Sequence, residues 1–178
     1  MFIINLNVGF AKLSFYDFLT PETENFQIAG FRINRALAMV LAGIAIPTSG
    51  FLLQEYFKNP LAGPDVLGIT SVSSLFVAFY IFFSQSIVIP DFLQNSFISF
   101  SSIVGSVVLM VVLLSFSNRF RDKSFIIIFG FLISALAGAV VSFLQFYVDS
   151  QSLKNYILWS FGANNQATFS QISILTLL

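Results

Sequence analysis

Neither cysteine nor histidine occurs among the 178 residues of this chain. Their absence removes disulfides, thiol nucleophiles and the commonest metal ligands together. Charge is almost as scarce: Lys, Arg, Asp and Glu make up 9% of the sequence, where soluble domains carry about 25%. No GxxxxGK[ST] stretch is present to cradle nucleotide phosphates, and nothing in the sequence points to a nucleic-acid partner. Without histidine or cysteine, an enzyme embedded in a membrane would have to rely on unassisted serines. No catalytic residue, metal ligand or cofactor is therefore assigned.

What is present is apolar. Hydrophobic residues make up 57% of the chain, and 24 of them are phenylalanine. The charges are spaced far apart, leaving 19 uncharged residues between Arg35 and Glu55, 25 between Asp65 and Asp91, 27 between Asp91 and Arg119, and 25 between Lys123 and Asp149. A helix crosses the hydrocarbon core with about 20 apolar residues. The pattern predicts an all-α, polytopic membrane protein in contact with lipid, with four complete spans near 35–56, 66–87, 95–117 and 124–148. The apolar runs at the two ends, MFIINLNVGFA and FSQISILTLL, are too short to span and read as partial helices.

Between the spans lie polar segments. Residues 12–30 read as a loop, with Pro21 and several acids. Pro47 is expected to bend the first span. FKNPLAGPDVLGIT (57–70) ends that span, because two prolines cannot continue a helix and two glycines permit a tight reversal. SNRFRDKS (117–124) is a compact basic loop, read as a solvated anchor. The stretch from Asp149 reads as amphiphilic, with Tyr156 and Trp159 at headgroup depth. Charge alone leaves the orientation tied. Lys58, Arg119, Arg121 and Lys123 fall on one side, and Lys12, Arg32, Arg35 and Lys154 on the other. The clustering of three at 119–123 favours that side as cytoplasmic.

Between their flanking charges the four runs carry no Asp, Glu, Lys or Arg. An ion-coupled carrier ordinarily holds one near the midplane. If this protein drives uphill movement, the energy must enter through another subunit. A secondary carrier or a non-transporting assembly subunit remain alternative readings at this point.

RINRALAMVLAGIAIPTSGFLLQEYFKNPLAGPDVLGIT (32–70) resembles the FecCD/BtuC-type permeases, the membrane subunits of type II ABC importers for iron–siderophore complexes, haem and vitamin B12. The resemblance rests on Arg32, Arg35, Gly43, Ser49, Gly50, Gln54, Asn59, Pro60, Leu61, Ala62, Pro64, Leu67 and Gly68. It continues more weakly through Ser124–Gly130 and through Trp159 and Gly162. Asn34 stands where the pattern has proline, Pro47 is atypical of this helix, and Val72-Ser73 replaces a common Gly-Ala pair. The resemblance implies a single transmembrane permease domain over residues 1–178, corresponding to the N-terminal half of a subunit about twice this length. The coupling helix and C-terminal helices would lie outside this sequence.

It further implies a second permease subunit, an ATP-binding cassette ATPase, an extracytoplasmic substrate-binding protein, and residence in the bacterial inner membrane. On this reading Asn59, Pro60 and Leu61 form a cytoplasmic gate, and Arg32 and Arg35 receive the binding protein's glutamates. Gln54, Ser73 and Ser74 are candidate pathway-lining residues. The plainer readings are helix termination with Asn59 as a cap, arginines snorkelling to headgroups, and polar side chains bonding neighbouring helices.

Overall fold

The computed structural model describes residues 13–14, 17, 25–84, 91–117 and 124–162, with side chains from residue 96 onward in the third helix. The described residues form the helices α1 (Phe26–Phe57), α2 (Ile69–Phe83), α3 (Asp91–Ser117), α4 (Ser124–Tyr147) and α5 (Ser150–Ser160). α1, α3 and α4 are long and apolar enough to cross a bilayer. The partial helices expected at the two ends, and the basic loop with Arg119, Arg121 and Lys123, lie outside the described residues.

Two boundaries differ from expectation. α1 begins at Phe26, inside the segment read as a loop, because FQIAG contains no proline and places Ala29 in a buried position. α2 holds only 15 residues, about 23 Å of helix against a hydrocarbon core of about 30 Å. Residues 64–68 are spent in a turn before it begins. The helical assignment continues through Pro47, where the Thr48 hydroxyl donates to the Ile44 carbonyl at 2.7 Å, a local bond that keeps a polar group satisfied in lipid.

The chain divides into two compact units, parting between Thr48 and Ser49. In the first, the Ser14 amide donates to Asp17 Oδ2 at 2.7 Å, and the buried positions on α1 are the small residues Ala29, Ala36 and Ala38.

In the second unit α2 is the central element and packs on α3, α4 and α5. Lipid tails are as apolar as leucine, so helices in a bilayer are held by close packing and interhelical hydrogen bonds. Both occur here. A Cβ at Gly105 on α3 would stand 2.9 Å from the Val72 carbonyl oxygen and 3.0 Å from the Ser73 Cα. Beside this notch the Ser73 hydroxyl donates to the Ser102 carbonyl at 2.9 Å, its oxygen 2.6 Å from the Ser102 hydroxyl. On the α4 side, the Ser71 and Ser134 hydroxyls lie 2.5 Å apart. Leu53, Phe57, Ala62, Leu67, Val72, Leu109, Leu113, Ile126 and Ala137 form the adjoining core. Among the described residues no buried side-chain nitrogen or oxygen lacks a partner. Phe100, Phe131, Phe143 and Phe146 point outward, where lipid would meet them.

α5 is capped by Asp149, whose Oδ2 accepts from the Gln151 and Ser152 amides, each at 3.0 Å. Gly162, at φ +68°, follows the end of the helix. Tyr156 is buried. Its ring packs 5.5 Å from Phe82 and 6.0 Å from Trp159. Burial pushes its phenol above the ordinary value, and a hydrogen bond with Ser74 offsets part of the rise.

If close contact dominates the α2–α3 pairing, Gly105→Ala should destabilise the chain by about 1–3 kcal/mol. Ser73→Ala should cost about 0.6 kcal/mol. Thermal unfolding in detergent orders the two, and a larger loss for Ser73→Ala would assign the pairing to the hydroxyl bonds.

Candidate functional site

The segment joining α1 to α2 is built by two successive helix-stop motifs. α1 ends with Lys58 in the left-handed region at φ 51°, and the Asn59 amide donates back to the Gln54 carbonyl at 3.1 Å, the long bond of a Schellman motif. A non-glycine residue in that conformation carries a steric cost. Lys58 also forms an ion pair with Glu55; both side chains are exposed, so the pair adds little.

Asn59 then folds the next turn. Its Oδ1 accepts from the Leu61 amide at 2.9 Å, and the Ala62 amide donates to the Asn59 carbonyl at 3.1 Å. Pro60 sits between them with its φ already fixed by the ring. A second single turn runs over residues 64–68. The Gly68 amide donates to the Asp65 carbonyl at 3.1 Å and the Ile69 amide to the Pro64 carbonyl at 2.9 Å. These are the paired bonds of another Schellman motif, with Gly68 at φ +80° supplying the left-handed residue. The Thr70 hydroxyl donates to Asp65 Oδ1 at 2.8 Å and ties this turn to the start of α2.

The elbow has two faces. Ala62 and Leu67 are fully buried in the core, whereas Pro60 is exposed and Leu61 keeps 71% of its surface accessible. A loop that presents a leucine outward can seal an opening by apolar contact. Beside it, Leu52, Leu53, Tyr56, Met110 and Leu114, with Glu55 and Lys58, line an apolar groove of about 450 Å³. Among the described residues, no cluster of three or more acidic, histidine or cysteine side chains could hold a metal ion.

The structure gathers Gln54, Asn59, Pro60 and Leu61 at the end of α1 and in the elbow. Gln54 is exposed, and its carbonyl holds Asn59. Ser73 is buried with its hydroxyl on α3, and Ser74 is half-buried and bonded to Tyr156. Arg32, half-buried, and Arg35, exposed, belong to the first unit, three residues apart near the start of α1. The glycine contacts at Gly68, Gly105 and Gly130 and the Ser71–Ser134 pair were not singled out as a site by sequence reasoning. Small residues within apolar runs were the only signal, and it does not name partners.

A model of the FecCD transport family matches residues 1–178. The hemin transport system permease protein HmuU of Yersinia pestis is 30% identical over 176 residues, covering 97% of this chain and 52% of that protein. The vitamin B12 import system permease protein BtuC of Shigella boydii is 26% identical over 160 residues, covering 90% and 47%. Among solved structures, an inward-facing metal-chelate type ABC transporter superposes with a TM-score of 0.73 at 25% identity, covering 96% of this chain and 52% of that one. The chain thus spans about half the length of the curated relatives it matches.

The Asn59 carboxamide can be tested apart from any partner. Asn59→Ala removes the acceptor for the Leu61 amide and should cost the turn about 1 kcal/mol, read as faster hydrogen exchange at residue 61. Asn59→Asp keeps an acceptor oxygen and should keep the protection. Equal exchange in all three proteins would show that this side chain does not hold the elbow.

Proposed function

The chain belongs to the FecCD transport family, and from this premise we propose that it acts as a permease subunit of an ABC importer, contributing helices to the path taken by a metal chelate. The observation that carries the reading is the elbow: a loop keyed into the core on one face by Ala62 and Leu67, presenting Pro60 and Leu61 on the other. In this reading the elbow lies at the cytoplasmic mouth, where Leu61 of one subunit closes against its counterpart. The Asn59 Oδ1 is engaged within the turn, leaving the amide Nδ2 as the donor for a bond across the path. Gln54 faces the same mouth, and Ser73 and Ser74 stand on the helix that follows it.

A second permease subunit, an ATPase pair and an extracytoplasmic binding protein complete the proposed assembly in a bacterial inner membrane. The permease itself performs no covalent step. Partners that bind two packed arrangements unequally shift it between them, and the driving force is the difference between those affinities. The lack of Asp, Glu, Lys and Arg between the flanking charges of the runs supports an external energy source over ion coupling. Arg32 and Arg35, neighbours on one helix face at i and i+3, are assigned to the outer side, where they donate to carboxylates of the binding protein.

For cargo, the relatives' names specify hemin and vitamin B12, and the structural neighbour a metal chelate. These share a metal centre wrapped in a large organic ligand, a cargo that suits a path of neutral and apolar side chains. Within that class we assign an iron–siderophore complex, one of the three cargoes carried by the permeases that residues 32–70 resemble. Uptake by the complete importer in proteoliposomes, with a ferric siderophore, hemin and cobalamin offered separately, discriminates among them; preference for hemin or cobalamin would overturn the siderophore assignment.

Two variants test the assigned faces. Arg32→Glu with Arg35→Glu should weaken docking of the binding protein, and the loss should shrink at high ionic strength as screening removes the charge contribution. Docking unchanged by the reversal would return both arginines to a headgroup role. Asn59→Ala with Leu61→Ala should let the chelate leak through the assembled importer without ATP. A tight seal in the same flux assay counts against the gate.

A further inference from the structure

The elbow's buried face does not rest on side chains alone. A Cβ at Gly130 of α4 would stand 2.6 Å from the Leu67 carbonyl oxygen and 2.9 Å from the Leu67 carbonyl carbon. Reciprocally, a Cβ at Gly68 would stand 2.7 Å from the Gly130 carbonyl oxygen and 3.3 Å from the Ser134 backbone nitrogen. The terminal turn of the elbow is therefore pressed, backbone to backbone, against a single turn of α4. The Ser71 and Ser134 hydroxyls, 2.5 Å apart, lie at the next turn of the same contact and fix its register. Glycine inside a helix lowers its intrinsic stability, so Gly130 is a concession whose return is this contact. Gly138, two turns further along α4, has nothing within 4 Å of the corresponding position.

We infer that Gly130 is a positioning residue for the elbow, the point through which α4 sets where Leu61 stands. The inference rests on the gate reading above and adds to it the element that moves the gate. From Leu67 back to Leu61 the chain runs through two hydrogen-bonded turns that meet at Gly63, with the packed Ala62 beside it as the anchor between them. The Leu67 amide bonds the Gly63 carbonyl at 2.9 Å, the Ala62 amide bonds the Asn59 carbonyl at 3.1 Å, and Leu67 and Ala62 are fully buried. A shift of α4 at Gly130 is thus carried to the exposed leucine rather than absorbed on the way. Stiff, closely packed contacts of this kind transmit displacement instead of deforming.

The cysteine-free sequence permits a clean test. The full chain carrying Leu61→Cys is placed in lipid nanodiscs, and the reaction rate of the new thiol with a maleimide is measured, together with the mobility of an attached spin label. Gly130→Ala should change both several-fold, because the added methyl drives Leu67 off α4. Gly138→Ala, with the same change in helix propensity but open space around it, should leave both as in the parent. Ser134→Ala removes only the hydroxyl and should loosen the label at residue 61; it decides the matter if Gly130→Ala fails to fold. Identical readings for Gly130→Ala and Gly138→Ala in folded protein overturn the inference, as does an unaltered label in Ser134→Ala. A tight seal in Leu61→Ala importer would sink the gate while leaving this contact standing, so the two failures are distinguishable.

Discussion

In a bilayer, an apolar side chain that turns toward another helix leaves lipid that suited it equally well. Shape complementarity and hydrogen bonds must then do the work that water does for a soluble core. The second unit of this protein is organised around that constraint. α2 is notched into α3 at Gly105 and into α4 where Gly68 meets Gly130, and a serine hydroxyl pair accompanies each notch. Each pair contributes only about 0.6 kcal/mol; its larger effect is to fix register, since a helix that slides leaves hydroxyls unpaired in hydrocarbon.

The elbow depends on the same packing. Its two helix-stop motifs satisfy carbonyls that α1 and the following turn would otherwise leave open, so the backbone can reverse without the aid of bulk water. With those bonds closed internally, the segment can afford a buried face of Ala62 and Leu67 and an outward face of Pro60 and Leu61. The short α2 follows directly. It lies among α3, α4 and α5 rather than standing alone in lipid, so its 15 residues do not have to match the bilayer by themselves.

Much of this was legible from residue order. Charge-free runs located α1, α3 and α4 to within a few residues at most of their boundaries, because the energetic penalty of an ionised group in hydrocarbon makes its absence a strong signal. Pro60, Gly63, Pro64 and Gly68 announced a reversal, because proline and glycine act on the backbone locally. The family pattern in 32–70 agreed with the match over the whole chain. Less legible were the partners of Ser73 and Ser74, whose hydroxyls bond Ser102 and Tyr156. Tyr156 packs its ring against Phe82, a partner that residue order did not name. A serine in an apolar helix reads the same whether it faces a pore, a neighbour or its own carbonyl.

The sequence by itself determined which segments could enter a membrane and where the chain had to turn, since both follow from the chemistry of single residues and their immediate neighbours. Only the tertiary structure decided which glycine meets which backbone: Gly130 lies 62 positions after Gly68, and nothing local to either records the other. Contacts made by the absence of a side chain leave no residue-type signature beyond smallness, and their partners become known when the helices are brought together.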